Sequence, residues 1–108
     1  MEGIKEILRV FNSNRGLDKY HSPENLAKAI SVDAGELLRN FQWDRNYDLH
    51  QVSDDLVNIM IHSIILADKL DLDVKNEIIR KIGENANRHP AFHKEPYTFL
   101  ENDDKEEF

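Results

Sequence analysis

The chain has 108 residues, with 14 basic and 21 acidic side chains, no cysteine, 4 Gly and 3 Pro, and 40% hydrophobic and 8% aromatic content. That length predicts one domain with a modest core, able to bury roughly 60–70% of the surface its unfolded chain exposes. A net charge of −7 opposes binding to nucleic-acid backbones and anionic membrane surfaces, which need clustered cations; without cysteine there are no disulfides, thiolate zinc sites or Cys nucleophiles.

The N-terminal stretch MEGIKEILRVF carries charge throughout and lacks the apolar run and small-residue cleavage site of a secretory signal. No stretch approaches the 18 or so apolar residues that a membrane span needs. The expectation is a soluble, cytoplasmic protein.

Scarce Gly and Pro, abundant Leu, Ile, Lys and Glu, and no sustained apolar–polar alternation predict an all-α chain. The first helix is predicted from about Glu2 to Phe11, with Ile4, Ile7, Leu8 and Phe11 at helical spacing and Asn12-Ser13-Asn14 ending it. The second starts at Ser22-Pro23, a hydroxyl cap followed by a proline whose missing N–H costs nothing in the first turn, and runs to about Phe41. The third runs from about Asp48 to Leu70, with Asp48 capping and Gln51 reaching back to it. A fourth spans about Val74 to Arg88, capped by Asp73 and stopped at His89-Pro90. Beyond it the pattern dissolves into ENDDKEEF. The reading is one helical domain over 1–95 and a disordered acidic tail over 96–108.

Laid out at roughly 100° per residue, the two long helices carry an anomaly. In the second, Leu26, Ile30, Leu37 and Phe41 form an apolar stripe with Asp33 inside it and Glu36 at its edge. In the third, Val52, Leu56, Ile59, Ser63 and Leu70 form the stripe, and Asp55, Asn58 and His62 form a polar line beside it. If the helices pack antiparallel, these lines meet. Burying carboxylates together is costly unless something neutralises them. A hard divalent cation suits an oxygen-only set; pairing with Lys or Arg at a wet bundle edge is the alternative. His62 is either a ligand or proton acceptor on this line or a hydrogen-bonded bundle histidine.

The segments HSPENLAKAISVDAGELLRNFQW (His21 to Trp43), SDDLVNIMIHSIILADKLDLD (Ser53 to Asp73) and KIGENANRHP (Lys81 to Pro90), in their order and spacing, resemble the MazG-like all-α nucleoside triphosphate pyrophosphohydrolases, in particular their small dCTP pyrophosphatase-like branch. The resemblance implies a four-helix MazG-like fold, assembled as a homodimer or homotetramer. It also implies hydrolysis of a (deoxy)nucleoside triphosphate to monophosphate and pyrophosphate with Mg²⁺, or Mn²⁺ in its place, as nucleotide-pool house-cleaning. The implied metal ligands are Asp33, Glu36, Asp55 and Asn58, with Glu36 and Asp55 central to catalysis. The implied nucleotide contacts are His21, Phe41, Trp43, Lys81, Asn85 and Arg88.

Two positions depart from the family pattern. Asp33 stands where the family has Glu, and Asn58 where it has Asp. The shorter carboxylate withdraws its oxygens by one methylene, and the amide contributes no charge. Weaker Mg²⁺ binding follows, and with it the alternative of a relative that binds nucleotide or a protein partner without turnover. A purely structural helical module would instead require ion-paired, metal-free acidic lines. Val57, Ile61, Ile64 and Ile65 extend the third helix's apolar surface beyond one stripe, a second reason to expect an oligomer.

Overall fold

The structure is a computed structural model that describes residues 2–43 and 46–88. The expected end of the helical domain at 95, the 96–108 tail and the stop at His89-Pro90 lie outside the described residues. Within them the chain is all-helical: α1 (Glu2–Asn14), a short 3-10 turn (Asp18–Tyr20), α2 (Pro23–Arg39), α3 (Leu49–Lys69) and α4 (Val74–Arg88). No described helix is long and apolar enough to cross a membrane.

The predicted capping chemistry accounts for the helix starts. Asn25 N–H donates to the Ser22 hydroxyl at 3.1 Å, with Pro23 at the first helical position, and Asn76 N–H donates to Asp73 Oδ1 at 3.2 Å. Asp48 caps α3 by accepting from His50 N–H at 3.0 Å. Gln51, however, does not reach back to Asp48; its amide points along α3 to Asp55.

Two helix ends differ from expectation. α1 runs a turn beyond Phe11, to Asn14, because its terminator is Gly16 at φ +65°. Leu17 N–H donates to the Asn12 carbonyl at 2.9 Å and Gly16 N–H to that of Ser13 at 3.2 Å, the paired bonds of a Schellman stop. α2 ends at Arg39, two residues before Phe41, because the Asn40 side chain takes up the carbonyls of Glu36 and Leu37.

Residues 3–71 form one compact unit. Its spine is the α2–α3 pair. Contacts between Asp33 and His62 and between Asn40 and Asp55 have numbers that fall on one helix as they rise on the other, so the pair is antiparallel. Leu26 and Ile65 are the buried apolar residues among those described, Leu26 completely so. α1 is tied to α3 by a bidentate pair: Arg9 Nε donates to Asp68 Oδ2 at 2.8 Å and Nη2 to Oδ1 at 2.6 Å. The Arg9 guanidinium, through these hydrogen bonds, holds the Asp68 carboxyl below the usual carboxylate range.

The buried face of α3 is turned relative to the expected stripe. Val52, Asp55, Ile59, His62 and Leu66 face inward, whereas Leu56, Ser63 and Leu70 are exposed. Ile61, Ile64 and Ile65 are at least half-buried, which widens the helix's covered arc.

The other compact unit comprises the first two residues and the chain from Leu72 onward, with α4 as its described element. On α4, Arg80 bridges Glu77 and Glu84 one turn to either side, and Lys81 Nζ lies 3.4 Å from Glu84.

Candidate active site

Asp33 and Glu36 sit one turn apart on α2, and Asp55, Asn58 and His62 follow one another along α3. The antiparallel packing brings part of this set together. His62 Nδ1–H donates to Asp33 Oδ2 at 2.6 Å, joining the two helices by a half-buried pair.

Asp55 is the most buried of the acidic residues here, 9% exposed. Both of its oxygens are held by amides: Asn40 Nδ2 donates to Oδ2 at 2.7 Å, and Gln51 Nε2 to Oδ1 at 3.0 Å. Two neutral donors keep the carboxylate desolvated without cancelling its charge. A carboxylate has about four acceptor positions, so the two amides leave it capacity for a further partner.

Glu36 and Asn58 lie on the exposed side. Glu36 Oε2 is 3.4 Å from Arg39 Nη1 on the same helix, so its charge is paired locally. Asn58 is exposed. Among the described residues no three His, Asp or Glu side chains converge on a common point as a metal centre would require. Asp33, Glu36, Asp55 and Asn58 fit a hard divalent cation in donor type, all being oxygen ligands. Asp33 and Glu36, however, are drawn toward His62 and Arg39.

The loop after α2 carries the aromatics. Phe41 and Tyr47 pack edge to face with centroids 4.9 Å apart, which closes the loop on itself. Trp43 is 87% exposed; its ring presents both faces to whatever approaches the loop. His21, between the 3-10 turn and the α2 cap, is half-buried, and its Nδ1 is enclosed without a hydrogen-bond partner among the described residues. Lys81, Asn85 and Arg88 lie on one face of α4, in the other unit, where Arg88 Nη2 donates to Asn85 Oδ1 at 3.1 Å.

Sequence reasoning missed Asn40, Gln51 and Tyr47. Gln51 stands one turn before Asp55, a spacing at which a side-chain amide reaches a carboxylate; Asn40 and Tyr47 left no comparable pattern.

Three comparisons bear on this arrangement. The dCTP pyrophosphatase 1 proteins of Rattus norvegicus, Mus musculus and Homo sapiens are each 25% identical to this chain, over 84% of it and 59% of their own length. The chain therefore spans about three-fifths of these relatives. The crystal structure of a pyrophosphatase from Archaeoglobus fulgidus superimposes with a TM-score of 0.76 at 33% identity, covering 84% of this chain and 93% of that one. Residues 28–97, a span holding Asp33, Glu36, Asp55, Asn58 and His62 together, match the MazG-like family, and the chain belongs to that family.

Proposed function

We propose that this protein hydrolyses a nucleoside or deoxynucleoside triphosphate to the monophosphate and pyrophosphate, as a cytoplasmic nucleotide-pool enzyme. The carrying observation is Asp55, a buried carboxylate held by two amides inside a family-matched α2–α3 pair, with Asp33 and Glu36 on the opposing helix. The pyrophosphatase names of the relatives and of the structural neighbour agree with this reading.

Asp33, Glu36, Asp55 and Asn58 are the residues that would hold Mg²⁺ or Mn²⁺, which when bound neutralises phosphate oxygens and activates water. Asp55 is oriented in advance by its amides. Asp33 and Glu36 become available by giving up His62 and Arg39. The released His62 can take a proton, and the released Arg39 can meet a phosphate. Trp43 offers an exposed ring for base stacking, a contact of about 1–3 kcal/mol, and His21 an unsatisfied nitrogen for a polar group of the nucleoside. For Lys81, Asn85 and Arg88 we carry over only the phosphate role that the family resemblance implies. The chain acts as a homodimer or homotetramer.

The test is pyrophosphate release across ribo- and deoxynucleoside triphosphates with Mg²⁺ and with Mn²⁺. Release from at least one substrate, lost in Asp55→Asn, supports the assignment; no release from any substrate overturns it.

A second reading is favoured by one observation, the neutral Asn58 on a line whose carboxylates are already partnered. In that reading the protein binds nucleotide without turnover. Asn58→Asp separates the two. A weakened metal site gains Mg²⁺ affinity or turnover of about tenfold or more from the restored charge, measured by Mg²⁺ titration and by pyrophosphate release. An unchanged protein counts against Asn58 as a ligand position.

A further inference from the structure

α2 ends without a glycine. Asn40, its C-cap, keeps a helical φ of −62° and ψ of −25°, so the last turn is finished by a side chain and not by a left-handed residue. The carbonyls freed at a helix end need donors, and Asn40 Nδ2 lies 3.2 Å from that of Glu36 and 3.1 Å from that of Leu37. The same nitrogen donates to Asp55 Oδ2 on α3 at 2.7 Å.

A side-chain amide has two hydrogens, and here three acceptors surround it. The carboxylate makes the shortest of the contacts, as a charge-assisted bond does, so the two carbonyls share what remains. How firmly the end of α2 is held therefore depends on how firmly Asp55 holds Asn40. Gln51, the other donor to Asp55, is on α3 itself, four residues before it.

The aromatic loop begins at the next residue. Phe41 N–H donates to the Leu38 carbonyl at 3.0 Å, which fixes its ring to the same last turn. That ring packs on Tyr47, next to the Asp48 cap that starts α3, and Trp43 lies between the two in the chain. A shift at the end of α2 is thus passed directly into the loop.

We infer that Asn40 is a positioning residue that couples the two halves of the candidate site. Its amide sets both Asp55 and the direction in which the aromatic loop leaves α2, so the carboxylate and the exposed Trp43 ring are held in one register. The inference deepens the proposed function and rests on it in taking Asp55 for a cation ligand and Trp43 for a base contact; the tie itself is tested without either.

The chain holds a single tryptophan, whose indole N–H gives one NMR signal in the isotope-labelled full chain. Without metal, Asn40→Leu and Asp55→Leu should each move that signal, and the double variant should move it no further than the larger single change. Gln51→Leu should leave it in place. With Mg²⁺ alone, calorimetry and the indole signal are followed together. Asn40→Leu and Gln51→Leu should each bind Mg²⁺ about 10–100-fold more weakly, as loss of a partner to a ligating carboxylate does. Saturating Mg²⁺ should nevertheless move the Trp43 signal in the parent and in Gln51→Leu, and not in Asn40→Leu, a split that a merely structural role would not produce. A signal that Asn40→Leu leaves in place, or that Gln51→Leu moves equally, overturns the inference. So does calorimetric Mg²⁺ binding to the parent chain that leaves the signal still, a result that requires no variant to fold. Absence of calorimetric Mg²⁺ binding overturns the cation reading of the carboxylates alone, and the metal-free comparison still decides the role of Asn40.

Discussion

Asp55 is a buried carboxylate with a neutral amide donor on each of its two oxygens. Asn40 and Gln51 reach it from the end of α2 and the first turns of α3; neither carries a charge that would compete with a bound cation. Asn40→Leu leaves Oδ2 without its donor and should destabilise the protein by about 1–3 kcal/mol in urea unfolding. In the double variant with Asp55→Leu the loss should fall well short of the sum of the two single losses, because no buried group is left unpaired. Strict additivity would show that the 2.7 Å contact carries no stability. The acidic line on α3 was legible from helical spacing, and so was its meeting with Asp33. The partner of each oxygen was not, because it depends on the axial register of two helices, which periodicity leaves open. Leu56 and Asp55 differ by one position, about 100° around the helix; choosing the apolar residue for the core put the stripe to one side of where it packs.

The helix starts could be read from single residues, Ser22-Pro23, Asp48 and Asp73, since each cap acts within its own turn. The end of α1 illustrates the opposite case. Asn12-Ser13-Asn14 is a weaker stop than a glycine able to adopt positive φ, and Gly16 two residues later supplies it. Gly16→Ala meets no steric obstacle, with no atom within 4 Å of the added carbon, so its cost is conformational. A loss of about 1 kcal/mol is expected, seen as a lower urea midpoint at unchanged slope. Arg9 and Asp68 act at the same scale, fastening α1 to α3. Because Arg9 lowers the folded pKa of Asp68, the pair's contribution is present above the unfolded value of about 3.9 and is lost as pH falls through the folded value beneath it. Arg9→Gln should therefore be less stable than the parent at neutral pH, by about 1 kcal/mol or less for a half-exposed pair, and the difference should vanish in acid. A gap that persists below pH 2 would place the effect in packing of the arginine stem.

At the scale of the molecule the shortage is apolar cover. Leu26 and Ile65 are buried, while Ile4, Ile7, Val10 and Phe11 on α1 and Leu49, Leu56, Val57 and Met60 on α3 remain exposed. A folded chain of this length normally hides more than that, and contiguous apolar patches of this kind mark interfaces. If a second copy supplies the cover, folding and association are one equilibrium, and the thermal midpoint must rise with protein concentration. A tenfold increase should add about 1.4 kcal/mol per mole of dimer. Met60→Lys and Ile7→Lys then report which helix is covered. On open surface either change is worth within about 0.5 kcal/mol, whereas at an interface it buries an unpaired charge and dissociates the oligomer. Sedimentation at micromolar concentration distinguishes the outcomes. A species of at least twice the chain mass, reduced to one by a single lysine, places the interface on that lysine's helix. A parent chain that sediments as a monomer with a concentration-independent midpoint removes the homo-oligomer altogether.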